Sequence, residues 1–182
     1  MKVVTSNLGK YAEYKEILER AGIRLELIHM SYPEEQLESI EEVAEHSAYY
    51  LKGVIETDFF IDDSGLFIDS LGGFPGVYSS YVNKTIGNSG IIDLMKGKRD
   101  RRAEFRTCIA YYDVTLHLFT GKTRGSISEE SKGKNGFGFD PIFVPDGLTA
   151  TYAEMTLEEK DSISHRSKAT VAFLEFLKKK AI

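Results

Sequence analysis

The order of local patterns in the first third of the chain limits the fold most. Val3-Val4-Thr5 is a short apolar run of the kind that forms a buried strand. Leu8, Tyr11, Ala12, Lys15, Ile17, Leu18 and Ala21 then follow helical spacing, and Gly22 is a natural stop. Residues Ile23 to Ile28 alternate as a strand. A second helix is predicted from Ile40 to Glu56, with Val43, Ala44, Ser47, Ala48, Leu51, Val54 and Ile55 on one face. Phe59-Phe60-Ile61 reads as a strand closed by Asp62 and Asp63, and Gly65-Leu66-Phe67-Ile68 reads as a further short strand. Strands alternating with helices, then more helices, a hairpin region and a terminal helix imply an α/β fold built on a mixed β-sheet flanked by helices.

Further along, residues 78–96 look helical with a break at Gly87. Strands are expected at 103–112, 114–119 and 122–128, with Asp113 and Gly121 as turn signals. A glycine-rich loop from Gly133 to Gly138 precedes Ile142-Phe143-Val144. The last helix runs from His165 to Lys180 and buries Ala169, Ala172, Phe173, Phe176 and Leu177. The hairpin region is the candidate second lobe, leaving a cleft between lobes. No linker, repeat or low-complexity segment divides the 182 residues, so a single two-lobed domain over 1–182 is expected.

A net charge of −5 argues against a general nucleic-acid or membrane-surface binder, while leaving room for a local basic pocket. No apolar run approaches the roughly 20 residues of a membrane span. The single cysteine, Cys108, has no internal partner and reads as a small buried hydrophobe in a reducing compartment. With no N-terminal signal pattern, a cytoplasmic location is expected.

Four stretches carry chemistry. Adjacent acids repel and are costly to desolvate, a problem that a hard cation such as Mg2+ relieves, so Asp62-Asp63 reads as a metal site. Asp-Ser-Gly is equally good turn chemistry, and from this stretch alone the two readings stand level. Thr5-Ser6-Asn7-Leu8-Gly9-Lys10 joins a strand to a helix, a corner where free amides, the helix dipole and Lys10 favour an anion. Its bland alternative is an N-cap by Ser6 or Asn7 with a solvated lysine. Gly136-Phe137-Gly138-Phe139-Asp140-Pro141 offers aromatic faces for a flat base and an acid to accept its N–H groups. Ser164 is a candidate N-cap that places His165 and Arg166 in a first turn, where cations oppose the helix dipole, and Lys160 lies just upstream. Two phosphate motifs are rejected: Gly121-Lys122-Thr123 lacks the P-loop glycine at Leu116, and Glu16 to Ile23 lacks the flanking arginine of a Nudix box, where Lys15 stands. An anion corner, a metal pair, a stacking loop and a basic helix start jointly describe a nucleoside triphosphate with Mg2+.

These motifs, with Leu71-Gly72-Gly73-Phe74-Pro75-Gly76 between them, resemble in content and order those of the inosine triphosphate pyrophosphatases. The resemblance spans nearly the whole chain. It implies an elongated two-lobed sheet with a substrate cleft, a homodimer, and Mg2+-dependent hydrolysis of ITP, dITP and XTP, with Mn2+ as a substitute metal. It further implies that Thr5, Ser6, Asn7, Leu8, Gly9 and Lys10 cradle the triphosphate, with Lys10 also catalytic. Asp63 corresponds to the general base and metal ligand, with Asp62 and Glu34 as further metal acids. Ser64, Phe137, Gly138, Phe139, Asp140, Lys160, His165 and Arg166 would hold the rest of the substrate. Selection against adenine would need a donor at the purine O6 position, for which Arg166 is the candidate. Many members carry a lysine in the helix before the acid pair. Here Ser47 or Tyr49 stands there, and Lys52 lies about one turn later. Rival readings are a Maf-type pyrophosphatase and a nucleotide-binding module without catalysis.

Overall fold

The computed structural model describes residues 1–180. Its elements are β1 (Lys2–Val4), α1 (Leu8–Arg20), β2 (Glu26–Ile28), α2 (Ile40–Lys52), β3 (Phe59–Ile68), β4 (Pro75–Gly76), α3 (Ser79–Thr85), α4 (Gly87–Leu94), β5 (Arg102–Tyr112), β6 (Leu116–Ile127), β7 (Phe143–Pro145), α5 (Leu157–Asp161) and α6 (His165–Lys180). The strands form one seven-stranded sheet in the order β2-β1-β3-β5-β6-β7, with β4 also on β3. β1 pairs in parallel with β2 and β3, and the other pairs are antiparallel. The parallel pairs follow from the helical crossovers between β1, β2 and β3.

One sheet carries the packing at both ends of the molecule. β3, β5 and β6 have 10, 11 and 12 residues and run through both. At one end, Phe60, Ile109 and Tyr111 face α1 and α6, packing with Tyr14, Leu18 and Phe173. Phe59 and Ile61, on the other side of the pleat, face Ile40, Ala44, Ala48 and Leu51 of α2. At the other end, Leu66, Ile68 and Phe105 pack with Val82, Ile91, Phe143 and Tyr152. The hairpin is therefore not a separate lobe: each of its strands contributes one end to each core. Among the described residues, no helix is long and apolar enough to cross a membrane.

Three local expectations are corrected. Asp62 and Asp63 do not end a strand, nor does Ser64-Gly65 turn: β3 continues through them, paired residue for residue with β5 from Phe59↔Tyr112 to Ile68↔Ala103. Gly121 is not a turn either, but a point inside β6, where a Cβ would lie 2.1 Å from the His165 carbonyl oxygen and 2.5 Å from the Ala169 nitrogen. Glycine is needed there because α6 crosses directly over the strand. The second helix stops at Lys52 rather than Glu56, with Gly53 as its C-cap. The break at Gly87 is real and separates α3 from α4, with φ +63°.

Candidate active site

A gap in the sheet makes the site. β1 meets β3 only at Val3↔Phe60, and β4 joins the same edge at Leu66 and Phe67. Between them the β3 edge has no partner strand over Ile61 to Gly65. A cavity of about 680 Å³ opens at this gap, within the range of small-molecule sites. Thr5, Ser6, Asn7, Leu8 and Lys10 line it from the β1–α1 corner, and Asp63 and Ser64 from β3. Phe137, Gly138, Phe139 and Asp140 line it from the loop before β7, and Lys160, His165 and Arg166 from the α5–α6 region. Glu34 also lines it. Of the residues expected at the site, only Gly9 and Asp62 do not line the cavity. A Cβ on Gly9 would lie 2.4 Å from Cδ1 of Phe137, so this glycine lets the Phe137 ring rest on the α1 backbone.

The β1–α1 corner is partly what its bland alternative describes. Asn7 caps α1 and accepts from the Gly9 and Lys10 amides at 2.9 and 3.1 Å. Those two amides are thus committed and do not form a free anion nest. Lys10 is not solvated: its Nζ donates to the Asp62 carbonyl oxygen at 3.0 Å and lies 3.2 Å from Asp62 Oδ2.

The pleat separates the two acids. Asp62 points with Phe60 and Ser64 towards α1 and α6, and Asp63 points to the opposite face. Asp62 is buried, and its Oδ2 accepts from Ser64 at 2.8 Å and lies 3.5 Å from Arg166 Nη2. Burial raises its pKa, but Lys10 and Arg166 outweigh burial and hold it below the ordinary value. Asp62 is therefore a scaffold charge, not the second pocket acid expected from the sequence. Asp63 is pushed up to about 7, first by burial and then by Glu34 and Asp62, against the pull of Lys10. Its Oδ2 is buried without a hydrogen-bond partner.

Sequence reasoning missed the centre of this arrangement, Glu13. Buried on α1, it accepts from Lys160 Nζ at 2.7 Å and from Arg166 Nη1 at 2.5 Å. Lys160 also donates to Asp140 at 2.6 Å. Asp140, Lys160, Glu13, Arg166, Asp62 and Lys10 thus form one alternating chain of acids and cations. Helical spacing held the signal: Lys10, Glu13, Tyr14, Ile17 and Leu18 fall on one stripe, so two charges sit where burial is expected. Also missed were Ser79, Ser80, Asn83 and Lys84, which line the opposite wall from α3. Lys52 does not line the cavity and lies instead against the Tyr112 ring, 5.2 Å from its centroid. Ser47 is buried, its hydroxyl 3.5 Å from the Pro33 carbonyl.

His165 is buried and stacks on Phe105 at 4.6 Å with an interplanar angle of 9°. Burial first, then Arg166 and Lys160, push its pKa well down, so the ring is neutral and its buried Nδ1 has no partner. The Arg166 Nη atoms are engaged by Glu13, Ser64 and Asp62, while its buried Nε is unpartnered. Cys108 is buried with its thiol pushed up to about 12 by burial, which makes it an inert packing group.

The donors around Asp63 suit a hard divalent ion. They are oxygens, one Asp63 oxygen has no other partner, and Glu34 is near enough to disfavour the Asp63 charge. Among the described residues no group of three or more such side chains closes around a metal. Two carboxylates fit Mg2+, which keeps waters and takes further oxygens from phosphates.

A mixed α/β sheet interrupted at an acid, with cations and aromatic rings around the opening, defines a protein with a cleft for a small anionic ligand. The Ham1 family model matches residues 1–176, and the chain belongs to that family. It is 51% identical over 175 residues to the dITP/XTP pyrophosphatase of Thermococcus kodakarensis, covering 96% of this chain and 95% of that one. It is 48% identical over 182 residues to the dITP/XTP pyrophosphatase of Methanopyrus kandleri, covering 98% and 97%. A HAM1 protein structure from Coxiella burnetii superposes with a TM-score of 0.84 at 29% identity, covering 98% of this chain and 99% of that one.

Proposed function

We propose that this protein is a hydrolase of non-standard purine nucleoside triphosphates (dITP, ITP and XTP), releasing the monophosphate and pyrophosphate in a Mg2+-dependent reaction. The observation that carries the reading is Asp63, whose unpartnered carboxylate oxygen lies in a cavity between a lysine-bearing strand–helix corner and an aromatic loop. The names of the archaeal relatives support the substrate class. In this reading Asp63 orients the attacking water or takes its proton. Asp63 and Glu34 would hold Mg2+, which supplies neutralisation of phosphate charge when bound, with Mn2+ as a substitute. Lys10 stabilises the pyrophosphate leaving group. Phe137 stacks on the base, and Asp140 and Lys160 hold the loop that carries it. Selection against adenine comes from a donor at the purine O6 position, left unpaired by an amino group there. Since its Nη groups are engaged, Arg166 acts through Nε, beside the neutral His165.

The reading places the enzyme in the cytoplasm, where a lone buried thiol stays reduced. It makes the enzyme a homodimer, a reading supported by the exposed Tyr78 and Tyr81 rings. The test is a panel of nucleoside triphosphates with Mg2+, assaying pyrophosphate separately from phosphate. Pyrophosphate is expected from dITP and XTP, and Asp63→Asn should lower turnover by about 10²–10⁴-fold while nucleotide binding persists. Near-normal turnover in that variant would overturn the role of Asp63. Activity on modified pyrimidines with none on dITP would favour the Maf-type alternative.

A further inference from the structure

The inner wall of the cavity holds cations that are each already paired with a carboxylate. Lys10 lies 3.2 Å from Asp62, Lys160 lies 2.7 Å from Glu13 and 2.6 Å from Asp140, and Arg166 sits between Glu13 and Asp62. His165 is neutral. Glu34 and Asp63 add two further carboxylates to the lining. A polyanion entering this cavity meets an inner wall on which each lysine and arginine is already paired with a carboxylate.

One lining cation differs. The side chain of Lys84 of α3 forms no ion pair or hydrogen bond among the described residues. It is exposed, and it closes a polar stripe of Ser79, Ser80, Asn83 and Lys84 whose spacing puts all four on the cavity side of α3. The stripe faces the corner that bears Lys10 across the opening in the sheet. We infer that Lys84 is a binding residue for the phosphate chain of the substrate, contacting it from the α3 wall as the uncommitted cation of the site. This inference rests on the proposed nucleotide reading and adds a residue that neither the motifs nor the family resemblance singled out. A phosphate oxygen held by Lys84 bridges the two walls, so both the corner and α3 grip the same ligand.

The experiment compares wild type with Lys84→Gln and Lys84→Arg. It measures KM and kcat for dITP, and the binding of inorganic tripolyphosphate and of uncharged inosine by calorimetry. Lys84→Gln should raise KM about tenfold with kcat nearly unchanged, because a charge-assisted hydrogen bond is lost from ground and transition state alike. Tripolyphosphate binding should weaken by the same factor, inosine binding should not change, and Lys84→Arg should restore most of the loss. The exposed position predicts an unchanged melting temperature. Unaltered KM and tripolyphosphate affinity in Lys84→Gln would overturn the assignment. So would a loss confined to inosine, which would put Lys84 at the base. A wild type that turns over no dITP would defeat the proposed function instead, and the tripolyphosphate titration would still decide the role of Lys84.

Discussion

Replacing Glu13 by Gln removes one buried negative charge from between two buried cations and changes the side-chain volume little. Lys160 and Arg166 each lose a close partner but keep a second one, Asp140 at 2.6 Å and Asp62 at 3.5 Å. Breaking a buried ion pair from one side costs about 3–5 kcal/mol, since the remaining charge is left in a poor environment. The retained partners and the remaining amide oxygen put Glu13→Gln near the lower figure, about 3 kcal/mol. That is a large part of the roughly 5–15 kcal/mol that stabilises a domain, and at this chain length it lowers Tm by about 6–12 °C. The pH dependence gives the sign. Burial raises the Glu13 pKa, but Arg166 and Lys160 outweigh burial and set it below its ordinary value. Its contribution is therefore fully present above the unfolded carboxylate range and is lost as pH falls through the lowered folded value. Urea unfolding of wild type and variant at pH 8, 6 and 4 should show a constant gap at the two higher values and a smaller one at the lowest. A gap below about 0.5 kcal/mol, or one that widens on acidification, would refute the reasoning. The double variant Glu13→Gln/Lys160→Met should cost less than the sum of the two single changes, because the pair is lost only once. Strict additivity of the two single changes would show that the pair is not coupled.

Two further expectations follow from backbone contact and from an unpartnered acid. Gly121→Ala should cost about 3 kcal/mol, because its Cβ would lie 2.1 Å from the His165 oxygen and 2.5 Å from the Ala169 nitrogen, and backbone cannot rotate away. Since α6 begins at His165, KM for dITP should rise as well, and a variant with wild-type urea midpoint and KM would show that the helix is free to lift. Both Asp161 oxygens are buried without partners, and burial followed by Glu13 pushes this carboxyl up to about 7. Its ionised form is thus penalised in the fold, fully so above pH 7 and not at all below the unfolded value of about 3.9. Asp161→Asn should then stabilise the protein by about 1–2 kcal/mol at pH 8, a figure reduced for solvent screening, with no gain near pH 4. Equal gains at both pH values in urea melts would point to packing rather than charge.

Element types were largely legible in the sequence because they depend on local spacing. Both amphipathic helices of the first half, the break at Gly87 and the start of α6 at His165 are readable from neighbours within a turn or two. Gly121 and Ser64-Gly65 were misread for one reason: glycine and Asp-Ser-Gly signal turns unless something distant requires them in a strand. For Gly121 the distant cause is the α6 backbone, and for Ser64-Gly65 it is β5, which pairs along the whole of β3. Nearly all the expected site residues line one cavity, because the β1–α1 corner, the unpaired edge of β3, the loop before β7 and the start of α6 meet at the gap in the sheet. Glu13 was invisible as a functional residue because its partners lie 147 and 153 positions away, beyond any local pattern.

The acid pair shows how one motif can serve two purposes. Read along the chain, Asp62 and Asp63 are alike, and both looked like metal ligands. The strand gives them opposite directions, and their surroundings then set opposite charge states. Asp62 enters a chain of buried cations that keeps it ionised and fixes α1 and α6 to the sheet. Asp63 enters the cavity, where burial and other carboxylates disfavour its charge. A group held ionised by two cations is a poor proton acceptor and a good structural counter-ion, whereas one whose charge is penalised gains most from a cation or a proton brought by a ligand. The pairing therefore divides scaffold from chemistry at a single peptide bond, and a swap of roles would require β3 to slip by one residue against β5, turning Phe59, Phe60 and Ile61 to the wrong cores.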